Sequence, residues 1–399
     1  MSGPRPFRFA GRLPASKSIL NRLLVIASHA APGTFRVRGD SDADDVRLLR
    51  GGLAALAAGR PADCGAAGTV LRFLALRASR LPGRHRLTGT PRLLARPLAP
   101  LLALLRDLGA RAEIAAGDPP ALVIGSNGIW ELSQPIVVDR SQSSQFASAA
   151  LLSAWSLPAP LTLRLTGAPV SEAYLAMTLA LVRNAGLRVD VSGEVLTVAP
   201  SAAVQPGEPC AEIDLGAAFA VAAAAAVAGE AELEPFPAPS LQPDRVFVDI
   251  LAAMGVPLEH MPAKLVVRRA GALRPVDWNL RDSPDLFPVL AVLAALADGT
   301  SRLLGAPHLG LKESDRLARS AALVAALGRT FEPRHDGLVI HGQGWQRHER
   351  TIPFDPDQDH RLAMAAGVAL KAGFDVRVTD PAVVSKSFPD FWAAIGEAP

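Results

Sequence analysis

The chain has 399 residues, about twice the length of an ordinary domain, which predicts two domains. Its net charge is only +3 and it has no Lys/Arg-rich run, so the sequence does not indicate a nucleic-acid-binding protein. Its two cysteines, Cys64 and Cys210, are far apart and match neither a zinc motif nor a disulfide framework. The apolar run from Ala217 to Ala228 is too short to span a bilayer, and the first residues lack the apolar core of a signal peptide. We therefore expect a soluble cytoplasmic protein without a metal site. A monomer is a separate expectation that does not follow from these features.

One type of segment recurs along the chain. It has an almost wholly apolar predicted helix followed by a short strand, and it begins at Ser18, Gly68, Ser143, Gly216, Asp285 and Asp359. A helix that is apolar on all sides must be surrounded by protein, so these segments predict buried helices. Amphipathic helices alternate with them. Each of these ends near a glycine that suits a helix C-cap, before one or two strands.

This alternation predicts about six helix–strand–helix–strand repeats, three in each domain. The boundary between the two triplets falls near Val204–Pro209, where Pro and Gly interrupt the pattern. Ordinary α/β folds also alternate helices and strands, but here buried and amphipathic helices alternate in turn. The sequence therefore predicts an α/β protein built from repeated pieces.

Polar clusters stand at the starts of the buried helices, where free backbone N–H groups attract anions. Together they supply a set of cations: Lys17, Arg22, Arg72, Arg96, Lys312, Arg316, Arg361 and Lys386. They also supply two candidate acid–base carboxylates, Asp285 and Glu313. Taken singly, each cluster is explained equally well by helix caps or by solvated charges. Since there is no nucleotide-binding loop and no His/Cys metal spacing, the set predicts binding of two charged anions and chemistry by electrostatics and proton transfer.

In this order, the clusters resemble the EPSP synthase family. The matching strings run from residue 13 to residue 391 and are LPASKSILNR, GAAGTVLRF, the Arg-Pro of ARPL, SSQF, SEAYLAMT, SPDLFP, LKESDR, QDHRLAM and SKSFPDF. KESDR, DHR and KSFPDF are specific in combination, although none of them is specific alone. The resemblance implies a two-domain inverted α/β barrel, or prism, in which each domain has three βαβαββ units around buried helices.

The resemblance also implies that the chain starts in one domain, crosses to the other and returns. We predict one domain from residues 1–14 and 210–399, with the phosphoenolpyruvate side and the acid–base residues. The second domain is predicted at 15–209, with the shikimate 3-phosphate side, and the hinges near 14–17 and 204–212.

The implied reaction moves the enolpyruvyl group of phosphoenolpyruvate to the 5-hydroxyl of shikimate 3-phosphate by addition and then elimination, with no cofactor. The residues expected to bind shikimate 3-phosphate are Lys17, Ser18, Arg22, Ser143, Ser144, Gln145, Ser171, Tyr174, Asp285 and Lys312. Those expected to bind phosphoenolpyruvate are Lys17, Gly68, Arg96, Gln145, Arg316, Arg361 and Lys386. Proton transfer is expected from Asp285 and Glu313, with Lys17 assisting.

Three positions depart from the family pattern. His308 and Gly310 stand where many members have Asn and Arg, and Arg140 stands where Gly is common. The first two leave open a related transferase with a different acceptor. Gly68 and the adjoining Ala67 match a glyphosate-sensitive pattern, so the resemblance also implies inhibition by glyphosate.

Two further alternatives are less well supported. A relative that acts on UDP-N-acetylglucosamine would use a cysteine-bearing loop as its acid, and neither Cys64 nor Cys210 lies in such a loop. An inactive, anion-binding homologue is disfavoured because every catalytic position that can be aligned carries a competent side chain.

Overall fold

The computed structural model describes residues 4–346 and 350–397. Their contacts divide them into two compact units, which we name by position along the chain. The central unit contains residues 17–40 and 44–211, and the terminal unit contains the described residues of 1–16, 41–43 and 212–399. The terminal unit is therefore built from both ends of the chain.

The helices and strands alternate along the whole described chain. The helices are α1 (Lys17–Ala27), α2 (Asp44–Ala57), α3 (Gly68–Ala78), α4 (Pro91–Leu94), α5 (Ala99–Asp107), α6 (Gln145–Ser153), α7 (Glu172–Asn184), α8 (Leu215–Ala228), α9 (Phe247–Ala253), α10 (Phe287–Leu296), α11 (Arg316–Ala326), α12 (His360–Lys371) and α13 (Phe391–Ala394). Short 3₁₀ helices lie at Pro243–Val246, Pro284–Leu286, Pro307–Leu311 and Pro381–Lys386. The strands are β1 (Phe7–Phe9), β2 (Ala62–Asp63), β3 (Pro82–Thr88), β4 (Arg111–Ala115), β5 (Ala121–Asn127), β6 (Ile136–Asp139), β7 (Leu161–Thr166), β8 (Val189–Ser192), β9 (Val195–Val198), β10 (Gly229–Leu233), β11 (Leu258–Met261), β12 (Lys264–Arg268), β13 (Asp277–Asn279), β14 (Asp298–Leu304), β15 (Thr330–Arg334), β16 (Gly337–Gln343), β17 (Thr351–Phe354) and β18 (Asp375–Val378).

Four four-stranded sheets share one topology. Their strand orders are β2-β3-β5-β4 and β6-β7-β9-β8 in the central unit, and β1-β10-β12-β11 and β13-β14-β16-β15 in the terminal unit. In each sheet the first two strands are parallel and the last two form an antiparallel hairpin. A parallel pair needs a crossover connection, which α3, α6 and α10 supply. The predicted βαβαββ class, with two α/β domains, is confirmed.

A further, smaller piece completes each unit. In the terminal unit, β17 and β18 pair in parallel around α12. In the central unit, α1 is followed by two isolated bridges, between Phe35 and Gly207 and between Arg38 and Cys210.

Three helices form the middle of each unit. They are α8, α10 and α12 in the terminal unit and α1, α3 and α6 in the central unit, and within each trio the helices contact one another. Every residue of α10 and α12 is buried, as is every residue of α8 except Val227, because these sequences have no polar face to turn toward water. The prediction of buried apolar helices is thus confirmed. No helix of the described ranges is long and apolar enough to cross a membrane.

Charge ties the two ends of the chain together in the terminal unit. Lys371, at the end of α12, is buried, and its Nζ lies 3.1 Å from Glu397 Oε1. Arg5 Nη1 lies 2.6 Å from the other oxygen of Glu397. Lys371 Nζ also donates a hydrogen bond to Pro6 O (3.4 Å) and lies 5.5 Å from the centroid of the Phe7 ring. A buried ammonium that loses its carboxylate is strongly destabilising, so Glu397 holds β1 and the last helix in place.

Glu397→Gln should lower the free energy of unfolding by about 2 kcal/mol. This is less than the ~3–5 kcal/mol typical when one partner of a buried pair is removed, because the Arg5 side chain is 42% exposed. Denaturant unfolding followed by tryptophan fluorescence measures the change. The matched control is Glu234→Gln, whose side chain is 58% exposed and pairs with Lys264, and which should change stability by less than about 0.5 kcal/mol. Equal effects of the two variants would contradict the assignment.

Candidate active site

The N-terminal ends of the three buried helices of the terminal unit meet at one place. Asp214 caps α8, Asp359 caps α12, and Asp285 lies in the 3₁₀ helix that leads into α10. Arg361, on the first turn of α12, joins two of these ends. Its Nη2 lies 3.5 Å from Asp285 Oδ2 and 3.8 Å from Asp214 Oδ1. A side chain at Gly216 would place its Cβ 2.5 Å from Arg361 Nη1, so this glycine is needed for the guanidinium to lie against α8.

Arg316 is the centre of this cluster. Its side chain is 1% exposed, and it donates to three carboxylates. Nη1 lies 2.7 Å from Asp285 Oδ1, Nε lies 2.7 Å from Asp359 Oδ2, and Nη2 lies 3.1 Å from Glu313 Oε2. The structure therefore brings four predicted site residues together, namely Asp285, Glu313, Arg316 and Arg361.

The electrostatics keep this cluster ionised. Burial alone would raise the pKa of Asp285, but Arg316, Arg361 and Lys312 outweigh it and hold that pKa well below its usual range. Burial likewise opposes the charge of Arg316, but its carboxylate partners, Asp359 first, raise its pKa well above the ordinary value. The pKa of Arg361 is also raised, because Asp285 and Asp214 outweigh its burial. At neutral pH the site thus holds charged guanidiniums and an ionised Asp285.

Two predicted lysines and one departure from the family pattern lie at 3₁₀ helices of the same unit. Lys386 is buried at the end of Pro381–Lys386, and Lys312 follows Pro307–Leu311. His308, inside the latter, is buried, and its pKa is lowered to about 3, first by burial and then by the charge of Lys312. Because Lys312 influences both His308 and Asp285, all three belong to one electrostatic neighbourhood.

Lys17 is the first residue of α1 in the central unit and is buried. Its Nζ lies 2.8 Å from Asp45 Oδ2, whose side chain is 6% exposed. The sequence analysis did not identify Asp45, because Asp44 and Asp45 open α2 and acidic residues are common in any first helical turn.

Arg22 lies one turn further along α1 and is 2% exposed. Nε donates to Thr178 Oγ1 (2.7 Å), Nη1 to Ser18 O (2.7 Å) and Nη2 to Tyr174 O (3.3 Å). The guanidinium also packs against the rings of Phe73 and Tyr174, 5.4 and 5.9 Å from their centroids. Burial lowers its pKa to about 10, partly offset by Tyr174. Within the described ranges, its partners are neutral oxygens and aromatic rings, and no carboxylate pairs with it.

The N-termini of α3 and α6 also come together in the central unit. Gln145 Oε1 accepts from Arg72 Nη1 (2.7 Å), and Gln145 Nε2 donates to Thr69 Oγ1 (3.0 Å). A Cβ at Gly68 would lie 2.7 Å from Arg96 Nη1 and 2.8 Å from Arg72 Nη1. Gly68, Arg96 and Gln145 therefore form one predicted cluster in the structure. Arg72 was among the predicted cations, but no substrate was assigned to it. In the structure it lies between Gly68 and Gln145 and contacts both ends of this cluster.

The predicted serines sit at the starts of two helices. Ser144 is the buried N-cap of α6, and Ser143 Oγ accepts from Gln145 N at 3.2 Å. Ser171 is the N-cap of α7 and adopts φ 54°, a left-handed conformation that is uncommon for serine. Ser144 makes no side-chain capping hydrogen bond to α6, and Ser171 makes none to α7. Tyr174 follows on the first turn of α7.

Asp359 is the main site residue that the sequence analysis left without a role beyond capping. It does cap α12, accepting from Arg361 N at 3.0 Å, but it also accepts from Ser314 Oγ (3.1 Å) and from Arg316. Its carboxylate is fully buried. A cap in sequence looks the same whether or not a distant arginine shares it, so only the fold reveals this second role.

The comparisons with known proteins agree on one family. A family model described as EPSP synthase (3-phosphoshikimate 1-carboxyvinyltransferase) matches residues 36–395. A 3-phosphoshikimate 1-carboxyvinyltransferase from Syntrophobacter fumaroxidans is 35% identical, over 95% of this chain and 94% of its own. A protein of the same name from Methanosphaerula palustris is also 35% identical, over 98% of this chain and 96% of its own.

Solved structures show the same fold. An EPSP synthase from Acinetobacter baumannii superposes with a TM-score of 0.75 at 21% identity, covering 99% of this chain and 97% of that one. The enolpyruvyl transferase NikO from Streptomyces tendae gives a TM-score of 0.71 at 15% identity, covering 99% and 96%.

His308 should make the stability of the protein depend on pH. Its pKa is about 3 when folded and ~6.5 when unfolded, so between these values the unfolded chain binds more protons and stability falls as the pH falls. His308→Asn removes this titration. When the pH is lowered from about 7 to about 4.5, the free energy of unfolding should fall in both proteins. The fall should be ~1–3 kcal/mol smaller in His308→Asn than in the native chain.

Denaturant unfolding at the two pH values measures this difference. A cavity left by Asn lowers the free energy of unfolding equally at both pH values, so it does not affect the change between them. His335→Asn is the matched control, since the His335 side chain is 88% exposed. Parallel pH dependence in the native chain and in His308→Asn would contradict the prediction.

Proposed function

The chain belongs to the EPSP synthase (3-phosphoshikimate 1-carboxyvinyltransferase) family, and we propose that Asp285 and Glu313 carry out its proton transfers. The enzyme transfers the enolpyruvyl group of phosphoenolpyruvate to the 5-hydroxyl of shikimate 3-phosphate and releases phosphate, a step of the shikimate pathway to chorismate and the aromatic amino acids. The observation that carries the proposal is that both carboxylates contact the buried Arg316 at the N-terminal end of the helical core.

The roles of the two carboxylates follow from their surroundings. The reaction begins when the 5-hydroxyl oxygen bonds to C2 of phosphoenolpyruvate, while the hydroxyl loses its proton and C3 gains one. Asp285 is held ionised by three cations, so it is in the unprotonated form that acceptance of the hydroxyl proton requires. Glu313, starting in its protonated form, delivers the proton to C3 in this step and takes one back from C3 when the C2–O bond to phosphate breaks and the double bond forms again. The hydroxyl proton held by Asp285 leaves with the released phosphate. Lys17 assists by stabilising negative charge.

We assign phosphoenolpyruvate to the guanidiniums and ammoniums at the helix ends. In the terminal unit these are Arg316, Arg361 and Lys386. In the central unit they are Lys17 and Arg96, with Gly68 and Gln145 beside them. Two features support the assignment. Helix N-termini favour anions, and the pKa directions of Arg316 and Arg361 keep both charged at any physiological pH.

We assign shikimate 3-phosphate to the helix starts of the central unit. Ser143, Ser144 and Ser171 bind its phosphate, Lys17, Ser18 and Arg22 supply further polar contacts, and Gln145 and Tyr174 face its ring. Asp285 and Lys312 of the terminal unit bind its hydroxyls. Arg22 supports the assignment most directly. A buried cation without a carboxylate partner is costly, and a negatively charged group of the substrate supplies the missing counter-ion. A cytoplasmic monomer stays our expectation from the sequence.

Glu313→Gln should reduce phosphate release by about 10²–10⁴-fold, because an amide cannot deliver or accept the C3 proton. The assay follows phosphate release from phosphoenolpyruvate with and without shikimate 3-phosphate. The matched control is Glu332→Gln, which removes a similar ion pair with Arg334 on exposed strand β15 and should retain native activity. No release by the native chain with this acceptor would instead redirect the search to other acceptors.

Gly68→Ala should raise KM for phosphoenolpyruvate while changing KM for shikimate 3-phosphate little. The new Cβ would meet Arg96 Nη1 and Arg72 Nη1 at less than 3 Å, so at least one guanidinium must move. Steady-state kinetics with each substrate varied in turn measure both constants. Gly51→Ala, in α2 with no atom within 4 Å of the added methyl, is the control that should behave as the native chain. An unchanged KM for phosphoenolpyruvate would remove Arg96 from the proposed site.

A further inference from the structure

A buried hydroxyl ties Arg22 to two neighbouring helices. Thr178 of α7 and Ser148 of α6 have no solvent exposure. Thr178 Oγ1 lies 2.7 Å from Arg22 Nε, 2.9 Å from Ser148 Oγ and 2.9 Å from Tyr174 O. The three helices it joins, α1, α6 and α7, are the ones that carry the proposed ligands of shikimate 3-phosphate.

The hydrogen-bonding capacity of this hydroxyl is fully used. Arg22 Nε can only donate, so Thr178 accepts from it. The single proton of Thr178 serves either the Tyr174 carbonyl or Ser148. Because Ser148 also has a proton, it can donate to Thr178 whenever Thr178 donates to the carbonyl, and all three contacts persist. A fully satisfied buried network of this kind holds a single geometry.

This network leaves two N–H groups of Arg22 without a hydrogen bond to the described residues. A guanidinium has five N–H donors, and Arg22 uses one each on Thr178, Ser18 and Tyr174. The remaining two, one on each Nη atom, are those available to an anion. The rings of Phe73 and Tyr174 pack against the guanidinium, and the bond from Nε to Thr178 fixes its rotation.

We propose that Thr178 is a positioning residue for shikimate 3-phosphate, acting by orienting the free N–H groups of Arg22 toward the substrate anion. The inference rests on the proposed role of Arg22. Thr178 does not touch the substrate itself. Its loss therefore weakens recognition of this substrate and leaves the chemical step and phosphoenolpyruvate binding nearly unchanged.

Thr178→Val keeps the shape of the side chain and removes the hydroxyl. It should raise KM for shikimate 3-phosphate about tenfold, with kcat within about threefold and KM for phosphoenolpyruvate within about twofold of the native values. Thr178→Ser restores the hydroxyl and should return KM for shikimate 3-phosphate to within about threefold. Thr162→Val on β7 is the matched control, since the half-buried Thr162 hydroxyl has no hydrogen bond to the described residues.

The remaining outcomes separate the inference from the function on which it rests. A folded Thr178→Val enzyme with native KM for shikimate 3-phosphate and only a lower melting temperature overturns the inference, because the role is then structural. If Thr178→Val does not fold, Ser148→Ala replaces it and should raise the same KM by about threefold; an unchanged KM there overturns the inference equally. Arg22→Lys, measured alongside, tests the proposed role of Arg22. If it leaves this KM unchanged, that role fails, whereas a raised KM in Arg22→Lys but not in Thr178→Val defeats the inference alone.

Discussion

Arg316 shows how charge and packing are joined in the terminal unit. Removing a guanidinium from water costs several kcal/mol unless oxygen partners replace the solvent, and here three carboxylates do so. Two of them belong to the first residues of buried helices, since Asp285 leads into α10 and Asp359 caps α12. The ion pairs therefore fix the relative position of two helix ends that apolar packing alone would leave free to slide. The groups proposed to bind substrate therefore also hold the core together.

The central unit solves the same problem differently. Lys17 has a carboxylate partner in Asp45, but Arg22 is surrounded by hydroxyl and carbonyl oxygens and by two rings. Neutral oxygens satisfy the N–H groups of a guanidinium without cancelling its charge, and the depressed pKa of Arg22 reflects that difference. The charge of Lys17 is balanced by a carboxylate of the protein, whereas the charge of Arg22 is not. An incoming anion gains most at a cation whose charge is not already paired, which is why Arg22 is the stronger indication of an anion site.

The parts of this structure that depend on local pattern could be predicted from the sequence. Apolar helices, glycine-terminated amphipathic helices and alternating strands gave the fold class, and polar residues at helix starts gave the clusters. Pairings between distant residues could not be predicted. Asp45 and Lys17 are 28 positions apart, Arg316 and Asp359 are 43 apart, and Arg22 and Thr178 are 156 apart. Thr178 lies inside an apolar helix face where a threonine is unremarkable in sequence. Its role arises only because α1 and α7 bring it to within 2.7 Å of a buried nitrogen.

The charge balance of the terminal unit bears on how Glu313 acts. Arg316 and Arg361 face four carboxylates, Asp214, Asp285, Glu313 and Asp359, so carboxylates outnumber guanidiniums, and Lys312 and Lys386 bring the cluster only to neutrality. A phosphate that binds Arg316 must compete with these carboxylates for its N–H groups. Glu313 is the easiest to displace, since its contact of 3.1 Å with Arg316 is longer than the 2.7 Å contacts of Asp285 and Asp359. Displacement removes a bond that favours ionised Glu313 and places an anion beside it. Both changes favour the protonated carboxyl, which is the form that proton delivery to C3 requires. In the proposed mechanism, substrate binding and acid catalysis are thus coupled through a single guanidinium.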